Sequence, residues 1–409
     1  MKLKVDAKLD SGFMPMALVC REMRENTNDN GQDVIVAVER NQGYTYVYKT
    51  RIYKDNTGHD EENCKFIDRI AKTLLWVAGG YKITVAGSKV VGEYVKNTFC
   101  HGGTRDFDAR FMERVYERPF EVVVTDLENA PKEKSSASPV GKHLDGCRIG
   151  FDAGGSDRKV SAVVNGETVY SEEVVWFPKL NADPNYHYEG ILNAMKTAAS
   201  HMPRVDAIGV SSAGVYIDNK IMVASLFIKV NDDDFEKKVK NMYIDVAREI
   251  GENIPIEVAN DGDVTALAGA MSLEDNGILG IAMGTSEAAG YVDMDGNITG
   301  WLNELAFAPV DYNEGAMVDE WSGDYGCGVK YFSQDGVIKL APYAGIELDE
   351  NLSPAEKLKV VQNLMKDGDE RAKAIYETIG AYFGYSLAYY AEFYDIKHVL
   401  IMGRVTSGD

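Results

Sequence analysis

Residues 148–177 read RIGFDAGGSDRKVSAVVNGETVYSEEVVWF. The segments RIGFDAGG (148–155), VSAVVNG (160–166) and ETVYSEEVVWF (167–177) are short runs rich in apolar and β-branched residues, separated by Gly and Asn turns, which predicts three successive strands. Downstream, Ile191, Leu192, Met195, Ala198 and Ala199 recur on one helical face. Strand VDAIGVSS (205–212), a helix over 234–250, strand IPIEVAN (254–260) and a helix over 262–272 follow, so the predicted order is βββαβαβα. A second round begins with ILGIAMG (278–284), EAAGYVDMDG (287–296) and NITGWL (297–302), read as another meander. An irregular insertion, helices over 353–366 and 369–394, and strand HVLIMG (398–403) complete it. The strand at 398–403 answers to that at 205–210, whereas nothing answers to residues 213–272, so the last lobe reads as incomplete at Asp409.

Working outward, residues 128–142, ENAPKEKSSASPVGK, lack apolar periodicity and read as a linker. Before it, DVIVAV (33–38) and YTYVYKTRIY (44–53) alternate like a strand pair, Phe66, Ile67, Ile70, Leu74 and Leu75 mark a helix, and KITVAG (82–87) and FEVVVTD (120–126) add strands. The expected division is a separate α/β domain over 1–127, a linker over 128–142, and two lobes over 143–273 and 274–409. That suits a chain of 409 residues, since single domains usually run to about 100–200.

The formal charge of −21 disfavours nucleic acid and anionic membrane partners. Residues 1–147 carry 22 basic and 22 acidic side chains, so the excess lies after Cys147. No apolar run approaches the roughly 20 residues of a membrane span and MKLKVDAKLDSG is not a secretory signal, which leads to the expectation of a cytoplasmic location. Five scattered cysteines without a Cys-x-x-Cys pair suit a reducing compartment, and no zinc is expected. His59, His101, His143, His187, His201 and His398, and the lone Cys327, read as structural or surface residues. There is no G-x-x-x-x-G-K-[ST], G-x-G-x-x-G or H-E-x-x-H.

Four places could carry chemistry. Asp152-Ala-Gly-Gly-Ser156 ends a strand in a turn where glycines let a ligand approach and a carboxylate could hold hydrated magnesium; an ordinary hairpin turn is the alternative. Gly284-Thr285-Ser286 is the matching turn of the second round, with hydroxyl and N–H groups suited to phosphate. Asn260 and Asp261 stand between a strand and a helix, where they could orient and deprotonate an alcohol or simply cap the helix. Glu304, in the apolar setting NELAFAP, fits a bond to sugar hydroxyls or a satisfied structural role.

Together, DAGGS (152–156), GVSSAG (209–214), VANDGDVTALAGA (258–270), GIAMGTSEAAGYV (280–292) and LIMGRVTSG (400–408) resemble the ROK family of sugar kinases, within the actin and hexokinase superfamily. The resemblance covers 148–409 and implies tandem actin-like, ribonuclease H-like ATPase lobes. By it, Asp152, Gly154, Gly155 and Ser156 form the first phosphate motif, with Asp152 a magnesium ligand. Gly284, Thr285 and Ser286 form the second, and Gly403 to Gly408 approach adenosine. Asp261 is the implied catalytic base, and Asn260, Glu304, Ser212 and Gly214 the sugar-binding positions. The implied activity is glucokinase-like phosphoryl transfer from ATP, with Mg2+, to a sugar hydroxyl. A non-catalytic sugar or nucleotide sensor and an ATPase activating a partner enzyme are the rivals. Homo-oligomer formation is left open. Phe307 stands where the family has His, a single Cys327 replaces its zinc cluster, and Glu287-Ala288-Ala289 follows the second turn, which places the Glu287 carboxylate near the nucleotide phosphates, to repel ATP or help hold magnesium. The neutral, strand-rich first 147 residues disfavour the winged-helix repressor role of some members.

Overall fold

The structure, a computed structural model, describes residues 3–135 and 143–407, so most of the expected linker's second half and Gly408 lie outside it. The chain divides into two compact units. One comprises Met1–Ala137, Asn276–Asp295 and Thr299–Asp409; the other comprises Ser138–Asp275 with Gly296–Ile298.

The first unit opens with a four-stranded sheet of β1 (Gly31–Glu39), β2 (Thr45–Tyr53), β3 (Lys82–Ala86) and β4 (Glu121–Thr125), ordered β2-β1-β3-β4. β1 is antiparallel to β2 and β3, and β3 is parallel to β4. Helices α1 (Met16–Thr27), α2 (Asp60–Val77), α3 (Lys89–Thr98) and α4 (Asp106–Tyr116) accompany it. α2 starts with Asp60, Glu61 and Glu62, which favour a helix amino end, and from Asn63 onward it is buried on nearly every side. Lys134 bridges to Thr45, so the expected linker begins as an ordered segment laid against the start of β2.

The second unit carries a five-stranded sheet ordered β11-β8-β5-β6-β7, formed by β5 (Cys147–Ala153), β6 (Asp157–Val164), β7 (Glu167–Val175), β8 (Ala207–Ser212) and β11 (Ile256–Asn260). β5, β6 and β7 form an antiparallel meander, while β5, β8 and β11 run parallel. α5 (Pro184–Ser200) and α7 (Met242–Ile250) pack in a core with Ile149, Phe151, Ile208 and Val258. Two features depart from the expected order. Residues 215–223 form a small hairpin, β9 (Val215–Ile217) with β10 (Lys220–Val223), whose left-handed Asp218 and Asn219 make the tight turn. The helix expected over 234–250 is interrupted: α6 (Asp232–Asp234) leads into a π-turn, Phe235–Val239, that turns both named residues inward. α8 (Asp261–Leu273) follows β11 directly.

The first unit resumes with β12 (Ile278–Met283) antiparallel to β13 (Glu287–Val292) and parallel to β14 (His398–Met402), then α9 (Gln334–Leu340), α10 (Pro354–Lys366), α11 (Glu370–Tyr390) and α12 (Arg404–Ser407). The third strand expected at 297–302 does not form. Gly296 and Gly300 both adopt positive φ, +86° and +64°, which no extended strand tolerates.

Nor do the first 135 residues form a body of their own, as their sequence suggested. The Val77 and Trp76 carbonyls accept the N–H groups of Asn303 and Glu304 at 3.0 and 2.9 Å, and Thr73 meets Tyr389 at 2.7 Å. Around α2 lies a buried ionic cluster. Asp324 pairs with Arg69 at 2.7 Å, Lys72 at 3.0 Å and Arg105 at 2.8 Å, while Asp68 holds Arg105 and Asp108 lies 3.4 Å from Lys72. Burial by itself raises the Asp324 carboxyl, but the three cations outweigh it and hold the group far below the usual carboxylate range.

Candidate active site

In the second unit the carboxyl ends of β5, β8 and β11 lie side by side, the position at which parallel α/β sheets collect ligands. Asn260 is registered against Ser212, and Ser212 against Ala153, so Asp152, Ser212 and Asn260 finish on one rim. Asp152 lines an open groove of about 850 Å³ along the sheet, whose wall includes Gly150, Gly209, Ser211 and Ala259.

Asn260 caps α8, accepting the Gly262 N–H at 2.8 Å, and donates through Nδ2 to the Gly214 carbonyl, also at 2.8 Å. Capping and a binding role coexist, because an Asn side chain still has one N–H and further acceptor capacity left after these bonds. Gly214 has φ +141°, and a Cβ there would collide with the Val223 carbonyl, so glycine is required for the backbone turn that presents the Gly214 carbonyl to Asn260. Ser212 is fully buried, and its hydroxyl receives the Tyr243 hydroxyl at 3.2 Å. Its visible role is to anchor the rim.

Asp261 opens α8, half-buried. Burial raises its pKa above the ordinary 3.8; the Gly262 N–H pulls it back and the nearby Asp152 charge adds to the rise. A carboxylate with raised basicity at a strand end is suited to accept a proton. The turn after β5 is held by Trp176, whose Nε1 donates to the Gly154 carbonyl at 2.8 Å, while Gly155 and Ser156 remain exposed. The Lys179 ammonium lies beside this turn, 3.5 Å from where a Cβ on Gly155 would sit. No motif signals Lys179; it comes from a one-turn helix, Pro178–Leu180, after β7.

In the first unit the Gly284–Ser286 turn closes with a Gly284 N–H to Ser286 carbonyl bond of 2.9 Å, and Arg404 Nη2 donates to Thr285 Oγ1 at 2.9 Å. Gly403, φ +96°, packs so closely on β12 that a Cβ would strike the Met283 carbonyl. The second turn and the segment beginning at Gly403 are therefore brought together. Glu304 begins a single 3₁₀ turn, Leu305–Phe307, and is half-buried.

Glu287 is not at the turn surface, as expected, but inside the unit. It shares a strand face with the buried Ala289 and Tyr291 of β13, is 3% exposed, and fills space left open by the missing Cβ of Gly328. Neither carboxylate oxygen has a hydrogen-bond partner among the described residues. Burial, with the Glu304 charge adding to it, pushes the pKa from 4.5 up to about 8. The native state therefore keeps a proton that the unfolded chain loses above its ordinary pKa, and the associated stability, complete below pH 4.5, is lost as pH rises through about 8. Melting temperature is expected to fall between pH 6 and 9, and Glu287→Gln to flatten that slope; an unchanged slope in the variant contradicts the assignment.

The chain matches no family model and no curated protein. Among solved structures, it is similar to a ROK hexokinase from Thermus thermophilus, at 18% identity over 63% of this chain and 82% of that one, with a TM-score of 0.47. It is also similar to a ROK family glucokinase from Streptomyces griseus in complex with glucose and AMPPNP, at 18% identity over 64% and 85%, TM-score 0.41. A third likeness is to a ROK family transcriptional regulator, at 17% identity over 65% and 67%, TM-score 0.48.

Proposed function

We propose that this chain is an ATP-dependent carbohydrate kinase of the ROK type, with Asp261 as the base that takes the proton of the attacking sugar hydroxyl. The observation that carries the reading is the meeting, within one unit, of Asp261 with its raised pKa, the locked Asn260 and the Asp152 turn. Phosphoryl transfer needs in-line positioning, charge neutralisation and one acceptor for the hydroxyl proton. Asn260 would hold a sugar hydroxyl, and the exposed Gly155 and Ser156 backbone would face phosphate oxygens.

Magnesium typically binds through one or two carboxylates plus substrate phosphates and water, and no group of three or more His, Cys, Asp or Glu that could hold a metal occurs among the described residues. Asp152, on the rim near Asp261, fits that sparse requirement and would hold the ion, which when bound neutralises phosphate charge. Lys179 would supply a further positive charge from the protein. Lys179→Ala is expected to raise the KM for ATP roughly threefold to tenfold at low salt, an effect shrinking as ionic strength rises; an ATP KM unaltered at low salt removes Lys179 from the site.

The test is ADP release with and without a panel of hexoses. ADP formed only with a sugar supports the kinase. Sugar binding by calorimetry without ADP turns the reading to a sensor, and sugar-independent ADP release turns it to a partner-activating ATPase.

A further inference from the structure

A further cavity, of about 290 Å³, is lined only by residues of the first unit and is small for a ligand pocket. Its wall includes four aromatic rings from separate stretches of chain: Tyr46 of β2, Tyr291 of β13, Trp301 of the loop after β13, and Tyr394 beyond α11. The Trp301 ring centroid lies 5.1 Å from Tyr46, 5.6 Å from Tyr394 and 5.8 Å from Tyr291, and Tyr46 stands at 79° to it, so those two rings make a corner. Tyr291 and Tyr394 are each 3% exposed, whereas Tyr46 and Trp301 are half-buried. The chain itself holds the rings in place. The hydroxyls of Tyr46, Tyr291 and Tyr394 donate to the Phe393 carbonyl at 2.9 Å, the Asp395 carbonyl at 3.1 Å and the Asn303 side-chain oxygen at 3.1 Å. Arg40 anchors the Trp301 loop by donating to the Gly300 carbonyl. Rings fixed before binding lose little freedom when a ligand arrives.

The charged part of the wall is of one sign. Glu133, Asp293, Glu392 and Asp395 line the cavity, and among the described residues no Lys, Arg or His does. Arg24 balances Glu392 at 2.6 Å, but Lys134, next to Glu133 in the chain, lies over the Tyr44 ring instead. Burial raises the Tyr46 hydroxyl, and the Glu133 and Asp395 charges add to the rise, so both carboxylates are felt at that ring. Aromatic faces are themselves negative. Carboxylates and ring faces gathered round one small space are mutually unfavourable until a cation sits among them.

We propose that this pocket binds a small methylated ammonium ion, held against the Trp301 and Tyr46 rings and balanced by Glu133 and Asp395. A divalent metal needs several oxygens converging on one point, and an ammonium with three N–H donors needs converging acceptors as well. The carboxylates here do not converge in that way, since no group of three or more metal-ligating side chains occurs among the described residues. Methyl groups around a cationic nitrogen need only ring surface and a nearby opposite charge. Every residue of this pocket lies in the first unit and Asp261 in the second, so the proposal is independent of the kinase reading. It also gives the first 135 residues a part in ligand recognition, through Tyr46 and Glu133.

Calorimetric titration of the full chain with choline and tetramethylammonium, against ethanolamine and the uncharged choline isostere 3,3-dimethylbutanol, tests this. The two methylated cations are expected to bind with Kd below about 1 mM, and choline about tenfold or more tighter than ethanolamine or the isostere. Trp301→Ala should weaken choline binding about tenfold and Trp301→Phe about threefold or less. Glu133 and Asp395 are both exposed, so the paired change Glu133→Gln with Asp395→Asn spares the fold; it should weaken choline about threefold at low salt, a difference that fades as ionic strength rises. No heat from either methylated cation up to about 10 mM overturns the proposal, as does ethanolamine or the isostere binding as tightly as choline. A choline affinity unmoved at low salt in the carboxylate pair overturns it too, and so does one unmoved in a Trp301→Ala protein that melts like the wild type.

Discussion

Asp261→Asn leaves the fold intact and lowers the rate of phosphoryl transfer by about 10²–10⁴, the range that positioned proton acceptors supply. The fold survives because Asp261 contributes little to structure that Asn cannot: its main-chain carbonyl still receives the Thr265 hydroxyl at 2.7 Å, and the helix cap belongs to Asn260. Asn is a good residue for a helix amino end and fits the same space. What it cannot do is accept the hydroxyl proton. The affinity for sugar should change little, because a neutral amide still offers an oxygen to the substrate hydroxyl. Burial and the Asp152 charge place the Asp261 pKa above the ordinary 3.8, so the wild-type rate should rise with pH through that raised value and then level. The variant should lack this limb. Calorimetry for sugar binding, circular dichroism for fold and the pH–rate profile of ADP release check the three parts. A variant with undiminished turnover removes Asp261 from the reaction.

Asp324→Ala should destabilise the first unit by roughly 3–5 kcal/mol, the cost of leaving buried charge without its partner. Asp324 is 5% exposed and faces three cations, of which Arg69 and Lys72 are wholly buried. Arg105 keeps Asp68 and Lys72 keeps Asp108 at 3.4 Å, but buried Arg69 loses the carboxylate it pairs with. Loss of the carboxylate should also loosen the support of Glu304, because Arg69, Lys72 and Trp76 all lie on α2. Urea unfolding measures the change, and a shift below about 1 kcal/mol would show that surrounding water or repacking compensates the cluster.

Much of the sheet architecture is legible in the sequence because alternation and turn residues mark strands directly. β5 to β8 and β11 lie within a few residues of the segments read from RIGFDAGG to IPIEVAN, and Asn260-Asp261 stands at the strand end where the pattern puts it. Other features depend on contacts no local pattern contains. Arg69 and Lys72 look like the polar residues of a surface helix, yet their partner Asp324 lies more than 250 positions along the chain. The strand is read as beginning at Glu287, where β13 does begin, but the inward facing of Glu287 escapes the sequence because the space it fills is made by Gly328, about 40 residues further on. NITGWL has strand-like composition, but Gly296 before it and Gly300 within it take left-handed geometry. Lys179 belongs to no spacing motif and meets the phosphate turn only through the chain path after β7.

Direct observation of the transferred phosphate tests the central claim, that this protein phosphorylates a sugar with Asp261 as the base. ³¹P NMR of the wild-type protein with ATP, magnesium and the hexose panel should show a sugar phosphate appearing as ATP declines, with that signal absent over the same interval in Asp261→Asn. Conversion of ATP to inorganic phosphate with no sugar phosphate, or equal sugar phosphate from both proteins, would contradict it.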